Sequence, residues 1–142
     1  MIDIYATRGT FADTHRLARD AAAAVMAVEQ VPDIPMFRKN TAAFVHELDP
    51  SCLSDVDGAN DHIRVQVVTN AGALDRDKQL AVVATLTALV VDAGSNPELK
   101  ERTLVLLTEA PDGGWGLWGH AHTNAELVQA ARDQLSGLST GG

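Results

Sequence analysis

The sequence repeats one pattern of strand, helix and strand at a constant interval of 62 residues. In each half, alternating apolar residues precede an aspartate that can cap a helix, and a proline separates that helix from a second apolar stretch. The identical pairs are Thr7/Thr69, Asp13/Asp75, Ala22/Ala84, Val28/Val90, Pro35/Pro97, Thr41/Thr103 and Glu47/Glu109. In a βαβ unit the two strands are parallel and the crossover is right-handed. The repeat therefore predicts an α/β fold made of two tandem βαβ units.

The two units divide the chain into a first unit at 1–53 and a second at 62–119, within one domain that covers 1–142. The polar stretch 54–61 is the predicted linker, and a capping-box sequence predicts a C-terminal helix at 123–136. Strands are predicted at 2–7, 41–48, 63–68 and 103–108, and helices from Asp13 to about Glu29 and from Asp75 to about Asp92.

A four-stranded sheet built from these units has both helices on one face. On the predicted second helix, Leu80, Val83, Leu86 and Val90 mark the buried side, and Gly94 is a candidate left-handed C-cap. The stretch 103–108 is apolar on both sides, which favours a position inside the sheet. The other sheet face has no cover within the chain, so we expect copies of the chain to associate through it.

Composition and charge exclude several classes of protein. The chain has 142 residues, 46% of them hydrophobic, and a formal net charge of −8. Nucleic acids and anionic membranes require a basic surface, so neither is an expected partner. There is no apolar run of membrane-spanning length, no visible secretory signal and only one cysteine, Cys52. These features predict a cytoplasmic protein.

The second half carries a motif that resembles a known family. It consists of QVVTNAGALDRDKQ at 66–79 and LVLLTEAPDGGWGLWG at 104–119, with Trp115 and the glycines around it as the most specific part. These residues closely resemble the tautomerase superfamily, which comprises 4-oxalocrotonate tautomerase and its double-length relatives. The resemblance covers residues 62–120 well and the first half only through the repeat. It implies two fused βαβ units and a homotrimer.

The resemblance also implies a chemistry. Members interconvert the enol and keto forms of 2-oxo acids, and relatives dehalogenate or decarboxylate small acids. Their base is an N-terminal proline whose pKa is lowered in an apolar pocket, because burial disfavours the charged amine. Arginines hold the substrate carboxylate, and an aromatic residue packs the pocket.

This sequence departs from the family at its base. Position 2 is Ile2 instead of proline, and we expect a bulky second residue to protect Met1 from removal. The Met1 amine is primary, so it can act as a weak base or form a Schiff base. The resemblance therefore makes Met1 the candidate catalytic residue, but by a mechanism without proline.

The family's arginines are also missing. Asn70 and Ala73 occupy two of their positions, and Leu104 and Ala42 occupy others, whereas the aromatic residue is retained as Trp115. Arg8 or Arg64, both at predicted strand ends, are the candidate replacements that bind a carboxylate. The predicted substrate-binding residues are Arg8, Arg64, Asn70 and Trp115, although each arginine is also compatible with a solvated surface position.

Other side chains leave alternatives open. Trp115 and Trp118 fit either a pocket wall or a subunit contact. His46 can act as a general base, but Glu47, as its neighbour along a strand, faces the opposite side of the sheet. His120 and His122 have a usable metal-ligand spacing without a third ligand. Neither a metal nor a cofactor is predicted.

Two functions from different classes follow. The first is a tautomerase-like isomerase that acts on a small 2-oxo or unsaturated carboxylic acid. The second is a catalytically degenerate member that binds a small carboxylate-bearing molecule or pairs with a paralogue in a mixed oligomer. A purely structural subunit is a third alternative.

Overall fold

The computed structural model describes residues 1–140 and the side chains of residues 1–138. Strands and helices alternate along most of this range. They are β1 (Ile2–Thr7), α1 (Thr14–Glu29), α2 (Pro35–Asn40), β2 (Ala43–Leu48), β3 (Ile63–Asn70), α3 (Arg76–Ala93), β4 (Thr103–Ala110), β5 (Trp115–Leu117), β6 (His120–His122) and α4 (Asn124–Thr140). Short 3-10 helices at Pro50–Cys52 and Pro97–Arg102 precede the linker and β4.

The main sheet has the strand order β2-β1-β3-β4. Within each half the strands are parallel, β1 with β2 and β3 with β4, as the repeat predicts. The halves meet along β1 and β3, which are antiparallel, with Ile2 opposite Val67 and Tyr5 opposite Arg64. The predicted α/β fold of two βαβ units is confirmed.

The prediction that the fourth strand lies inside the sheet is wrong. β4 is an edge strand, and β1 and β3 occupy the centre. Leu104 and Leu106 are apolar but face the sheet side without helices, where they are 49% and 44% exposed. Apolar residues on both sides of β4 therefore indicate a surface for another molecule instead of a central position.

The hydrophobic core lies between the sheet and the helices α1 and α3. The strand side chains Ile2, Ile4, Ala6, Ile63, Val65 and Val67 are buried against these helices. α1 contributes Leu17, Ala21 and Val25, all at the helical spacing seen in the sequence. Side chains from both βαβ units thus share one core.

α3 buries only part of the side that its sequence predicts, since Leu86 and Val90 are buried as predicted but Leu80 and Val83 are not. Its core residues are Val82, Leu86 and Val90, whereas Leu80 is 53% exposed and Val83 is also exposed. α3 is apolar around most of its circumference, so the helical period does not determine which side meets the sheet.

The starts of α1 and α3 agree with the sequence predictions, but the predicted left-handed C-cap of α3 does not. The Asp13 side chain accepts from the Arg16 backbone N–H at 3.0 Å, and Asp75 caps α3 through the Lys78 N–H at 2.9 Å. Gly94 is not left-handed, since its φ is −86°, and Ser95 takes the positive φ instead. A Cβ at Gly94 would lie 2.3 Å from Leu99 Cδ1, the end of a flexible side chain that would have to move to accommodate it.

The repeat interval aligns the faces of β2 and β4 but not those of β1 and β3. Ala43 in β2 and Val105 in β4 both pack against the core. Thr69 lies on the core side of β3, whereas Thr7 follows the core-side residue Ala6 and so points to the other face. A shift of one residue moves every side chain of a strand to the opposite face. The interval of 62 therefore aligns the helix caps and the second strand of each half, but not the first strand.

The C-terminal segment adds a hairpin, β5–β6, that the sequence did not predict, followed by α4. The capping box is present: the Glu126 N–H donates to Thr123 Oγ1 at 3.1 Å, and the Thr123 N–H donates to Glu126 Oε1 at 3.0 Å. The hydrogen bond from the Thr123 N–H, together with one from the His120 side chain, lowers the pKa of Glu126 to about 2. α4 continues to Thr140, beyond the predicted end, and its Leu127 and Ala131 pack with the α2 region as a second small core.

Ion pairs attach the linker 54–61 to the rest of the fold. Arg102 donates to Asp61 at 2.6 Å and to Asp55 at 3.3 Å, which ties the linker to the start of β4. Cys52, just before the linker, is a free and exposed thiol. Within the described part of the chain, no helix combines the length and the apolar character that a membrane crossing needs.

The close approach of α1 to the core predicts a position-specific packing effect. Ala21 is fully buried and Ala23 on the same helix is exposed. We expect Ala21→Leu to lower the free energy of unfolding by about 1–3 kcal/mol through overpacking. The matched control, Ala23→Leu, should change it by less than about 0.5 kcal/mol. Urea denaturation measures both, and equal effects would contradict this packing.

Candidate functional site

The candidate site lies where the start of β1 meets the end of β3. The Met1 amine donates to the Val68 carbonyl at 2.9 Å, and the Val68 N–H donates to the Met1 carbonyl at the same distance. Burial lowers the pKa of the Met1 amine, and the carboxylates of Glu29 and Asp3 partly oppose that effect. The amine is therefore neutral over a wider pH range than an exposed one.

A cavity of about 180 Å³, here called the inner chamber, opens beside this amine. Its polar lining includes Met1, Glu29, Asn40, Thr69 and Asn70. Its remaining walls are Val31, Met36, Phe37, Thr41, Ala73, Trp115, Leu117 and Leu127. The space suits a small organic molecule with few polar atoms.

Glu29 is the ionisable side chain of the inner chamber. It is the last residue of α1, and its backbone carbonyl accepts a hydrogen bond from Lys78 Nζ at 3.3 Å. Burial raises the pKa of Glu29, although the Met1 amine and Lys78 act in the other direction. Burial thus shifts the pKa values of this carboxyl and this amine towards their neutral forms, and two neighbouring groups of this kind are suited to acid–base chemistry.

Two further polar atoms of this chamber have no hydrogen-bond partner within the described part of the chain: the Thr69 hydroxyl and Asn70 Oδ1. Thr69 is 2% exposed. The Asn70 carbonyl accepts from the Ala73 N–H at 3.1 Å, and Asn124 Nδ2 holds the same turn through Ala71. Buried polar atoms are usually paired, so unpaired ones beside a cavity are typical of a binding site.

A second cavity of about 390 Å³, here called the outer chamber, lies on the other side of Met1. Four residues, Met1, Asn40, Trp115 and Leu117, line both chambers. The outer chamber alone is lined by Lys39, Ala42, Val68, Ala110, Gly114 and Gly116. The two chambers therefore adjoin, and they differ in charge, with an acid in the inner one and a base in the outer one.

Of the five predicted site residues, the structure brings three together. Met1, Asn70 and Trp115 line the inner chamber, but Arg8 and Arg64 line neither chamber. Arg8 follows the other end of β1, where its backbone N–H donates to Leu48 and its charge acts on Asp49. Arg8 therefore lies the full length of β1 away from the Met1 amine.

Arg64 lies on the sheet face that carries no helix. Its guanidinium donates to Gln66 Oε1 at 3.0 Å and lies 5.8 Å from the centre of the Tyr5 ring. The alternation of β3 places Arg64 opposite the core side, whereas the inner chamber is reached from the end of the strand. The Arg64 side chain is therefore a surface cation that lines neither chamber.

His46 has an orienting carboxylate, but it is not Glu47. His46 Nε2 lies 2.7 Å from Asp3 Oδ1, and its ring stacks on Tyr5 with 4.3 Å between centroids. The sequence did not identify this pair, because Asp3 and His46 belong to different strands. The pair lies on the same uncovered face as Arg64 and lines neither chamber.

The other histidine pair is occupied by structural contacts. His120 Nε2 lies 2.6 Å from Glu126 Oε2, and His122 Nδ1 contacts the His120 carbonyl at 2.9 Å. In the residues that the structure describes, no three side chains of His, Cys, Asp or Glu are grouped so that they could hold a metal ion. Trp118 is largely exposed beside His122, while Trp115 forms the chamber wall.

Sequence reasoning missed Glu29, Lys39, Asn40 and Thr69. The weak signal for Glu29 was its position at the predicted end of α1, and Thr69 directly follows the predicted strand at 63–68. Lys39 precedes Asn40 in the last turn of α2, a helix that the sequence analysis did not predict. Without α2 there was no reason to place Lys39 near Met1.

Position 2 cannot take over the role of a proline base in this structure. Ile2 is fully buried in the core, and its N–H donates to the Ala42 carbonyl at 3.0 Å. Proline lacks that N–H, so it would remove a sheet hydrogen bond and a core side chain at once. The group that reaches the chamber is the Met1 amine.

Known proteins resemble this chain in structure but not in sequence. No protein-family model matches it, and no curated protein is significantly similar to it. A protein crystallised after inactivation by 2-oxo-3-pentynoate matches with a TM-score of 0.73 and 18% identity, over 89% of this chain and 97% of that one. A fused 4-OT, solved as a symmetric trimer, gives 0.72 and 14% over 89% and 97%. A member of the cis-3-chloroacrylic acid dehalogenase family gives 0.69 and 16% over 95% and 97%.

The raised pKa of Glu29 predicts how stability depends on pH. A carboxyl that binds its proton more tightly when folded stabilises the protein fully below its unfolded pKa, and loses this contribution as pH rises through the folded pKa. We therefore expect the unfolding free energy of the wild type, relative to Glu29→Gln, to fall as pH rises above about 4.5 and then to level off. Urea denaturation of both proteins between pH 4 and 8 measures the difference. A difference that rises over this range would contradict the burial of Glu29.

Proposed function

Since this chain has the fold of the tautomerase superfamily, we propose that it is a tautomerase-like isomerase that works without an N-terminal proline. Its substrate is a small 2-oxo or unsaturated carboxylic acid, and no cofactor takes part. A structural neighbour inactivated by 2-oxo-3-pentynoate supports this substrate class, because that reagent is itself a small 2-oxo acid.

One observation carries the proposal: the Met1 amine and the Glu29 carboxyl line the same small chamber with pKa values shifted towards their neutral forms. The neutral amine removes a proton from the carbon next to the substrate carbonyl. The protonated Glu29 gives its proton to the carbonyl oxygen, which forms the enol. The new ammonium then returns a proton to the Glu29 carboxylate, so that the enzyme ends as it began.

Asn70 and Trp115 complete this arrangement. An amide at Asn70 can donate a hydrogen bond to the substrate oxygen while negative charge develops on it. Trp115, half-buried between the chambers, provides a flat apolar wall that excludes water from the amine. Such a wall also supports the lowered pKa of the amine, because desolvation disfavours its charged form.

Blocking the amine tests this mechanism. Intact-mass spectrometry first establishes whether the purified protein starts with Met1. A variant with one serine added before Met1 converts the amine into an amide, and we expect its phenylpyruvate enol–keto rate to fall by about 10²–10⁴-fold. The wild-type rate should follow a bell-shaped pH profile, rising as the amine loses its proton and falling as Glu29 loses its own.

The control adds the same serine at the C-terminus and should keep the wild-type rate. Glu29→Gln should lower kcat, because the amide cannot supply the proton. An N-terminally extended protein that retains full activity would refute the Met1 mechanism.

The second candidate function is a catalytically degenerate member that binds a small ligand or pairs with a paralogue. It is favoured by the lining of the chambers, which among the described residues includes no arginine. Wild-type protein that binds small acids but leaves the enol–keto rate of phenylpyruvate at its uncatalysed value would support this alternative.

The proposal includes assembly into a homotrimer in the cytoplasm. Fused 4-OT neighbours are solved as trimers, and the uncovered sheet face of this chain carries Phe44, Leu104 and Leu106 as exposed apolar side chains. Tyr5, His46 and Arg64 lie on the same face. A surface of this kind supports an interface with other copies of the chain.

The trimer is tested by placing a charge on that face. Leu106→Glu introduces a carboxylate at the centre of the uncovered face, and we expect it to shift the mass measured by analytical ultracentrifugation from trimer to monomer. Val128→Glu is the matched control, because Val128 is similarly exposed, at 49%, but lies on α4. A wild type that sediments as a monomer would refute the trimer.

A further inference from the structure

The inner chamber is a poor environment for a carboxylate. Apart from the Met1 amine, Glu29 is the one ionisable group among its lining residues. Asn70 Oδ1 adds another oxygen acceptor without a partner in the described part of the chain. A carboxylate placed there would lose its hydration in a small buried space without gaining a side-chain cation.

The outer chamber offers the opposite environment. Lys39 lines it and is exposed, and among the described residues its side chain forms neither an ion pair nor a hydrogen bond. The neighbouring Arg38 is different, because it pairs with Asp33 at 2.8 Å and lines a separate cleft beside α1. Lys39 is thus the cation that remains available to a ligand next to Met1.

The shared lining allows one molecule to reach both environments. Met1, Asn40, Trp115 and Leu117 form walls of both chambers, so a ligand can lie across them with its ends in different chambers. Charge then fixes its direction. A carboxylate is favoured beside Lys39, and an uncharged end is favoured beside Glu29.

We propose that this site selects monocarboxylates, which it binds with the carboxylate on Lys39 in the outer chamber and the uncharged end in the inner chamber. The inner chamber has no side-chain cation among its lining residues, so it disfavours a second carboxylate at the inner end. This inference depends on the proposed function only where it concerns the reaction. The binding direction follows from the lining of the two chambers. It gives the role that the sequence analysis assigned to Arg8 or Arg64 to a residue of α2.

Unreactive ligands test the binding mode separately from catalysis. The probes are 3-phenylpropanoate, its neutral amide and the dicarboxylate phenylsuccinate, with Kd values from isothermal titration calorimetry on the full chain. We expect Lys39→Ala to weaken 3-phenylpropanoate about tenfold, the scale of one charge-assisted hydrogen bond, and to leave the amide within about twofold. Lys39→Arg should recover most of the loss.

The matched control is Arg38→Ala, which removes the same charge from the same turn of α2 and should leave all three Kd values within about twofold. Phenylsuccinate should bind the wild type at least about tenfold more weakly than 3-phenylpropanoate, because its second carboxylate would be desolvated without a cation beside it. Equal binding of 3-phenylpropanoate by wild type and Lys39→Ala would overturn the proposal, as would an equal loss for the amide or no binding to the wild type.

These outcomes are separable from those of the proposed function. If the Lys39 results hold but phenylpyruvate is not tautomerised, the binding mode stands and the isomerase does not. If phenylpyruvate is tautomerised and Lys39→Ala changes neither KM nor the Kd of 3-phenylpropanoate, the isomerase stands and the binding mode does not.

Discussion

The antiparallel contact between β1 and β3 is the constraint on which the rest of the structure depends. It joins the two βαβ units into one sheet, and it brings the start of the first strand beside the end of the third. The paired hydrogen bonds between Met1 and Val68 continue this contact to the Met1 amine. Asn70 follows Val68 by two residues and therefore reaches the same place. A different pairing of the halves would leave the amine in solvent.

Burial then gives this place its chemistry. The right-handed crossover of the first unit ends α1 at Glu29, beside the same amine. Desolvation lowers the pKa of the amine and raises that of the carboxyl, so both groups tend towards their neutral forms. Lys39 stays outside the desolvated region, and the site acquires an uncharged end and a cationic end. The proposed acid–base chemistry and the proposed binding direction thus have the same physical origin.

The predictions that depend only on neighbouring residues agree best with the structure. The aspartate caps at Asp13 and Asp75 and the capping box at Thr123 depend on backbone groups within a few residues, and all three are present. The buried residues of α1, Leu17, Ala21 and Val25, also follow the helical spacing of the sequence. α3 is apolar on most sides and β4 on both, so their patterns could not distinguish a covered face from an uncovered one.

The sequence by itself determined the two βαβ units and their parallel strands, because alternation and capping are properties of neighbouring residues. Its resemblance to a known family made Met1, Asn70 and Trp115 the candidates. Only the tertiary structure decided that β4 is an edge strand, that Asp3 orients His46, and that Glu29 and Lys39 meet the chambers while Arg8 and Arg64 do not. These outcomes depend on which elements lie side by side, since desolvation and charge act through space between residues that are far apart in the chain.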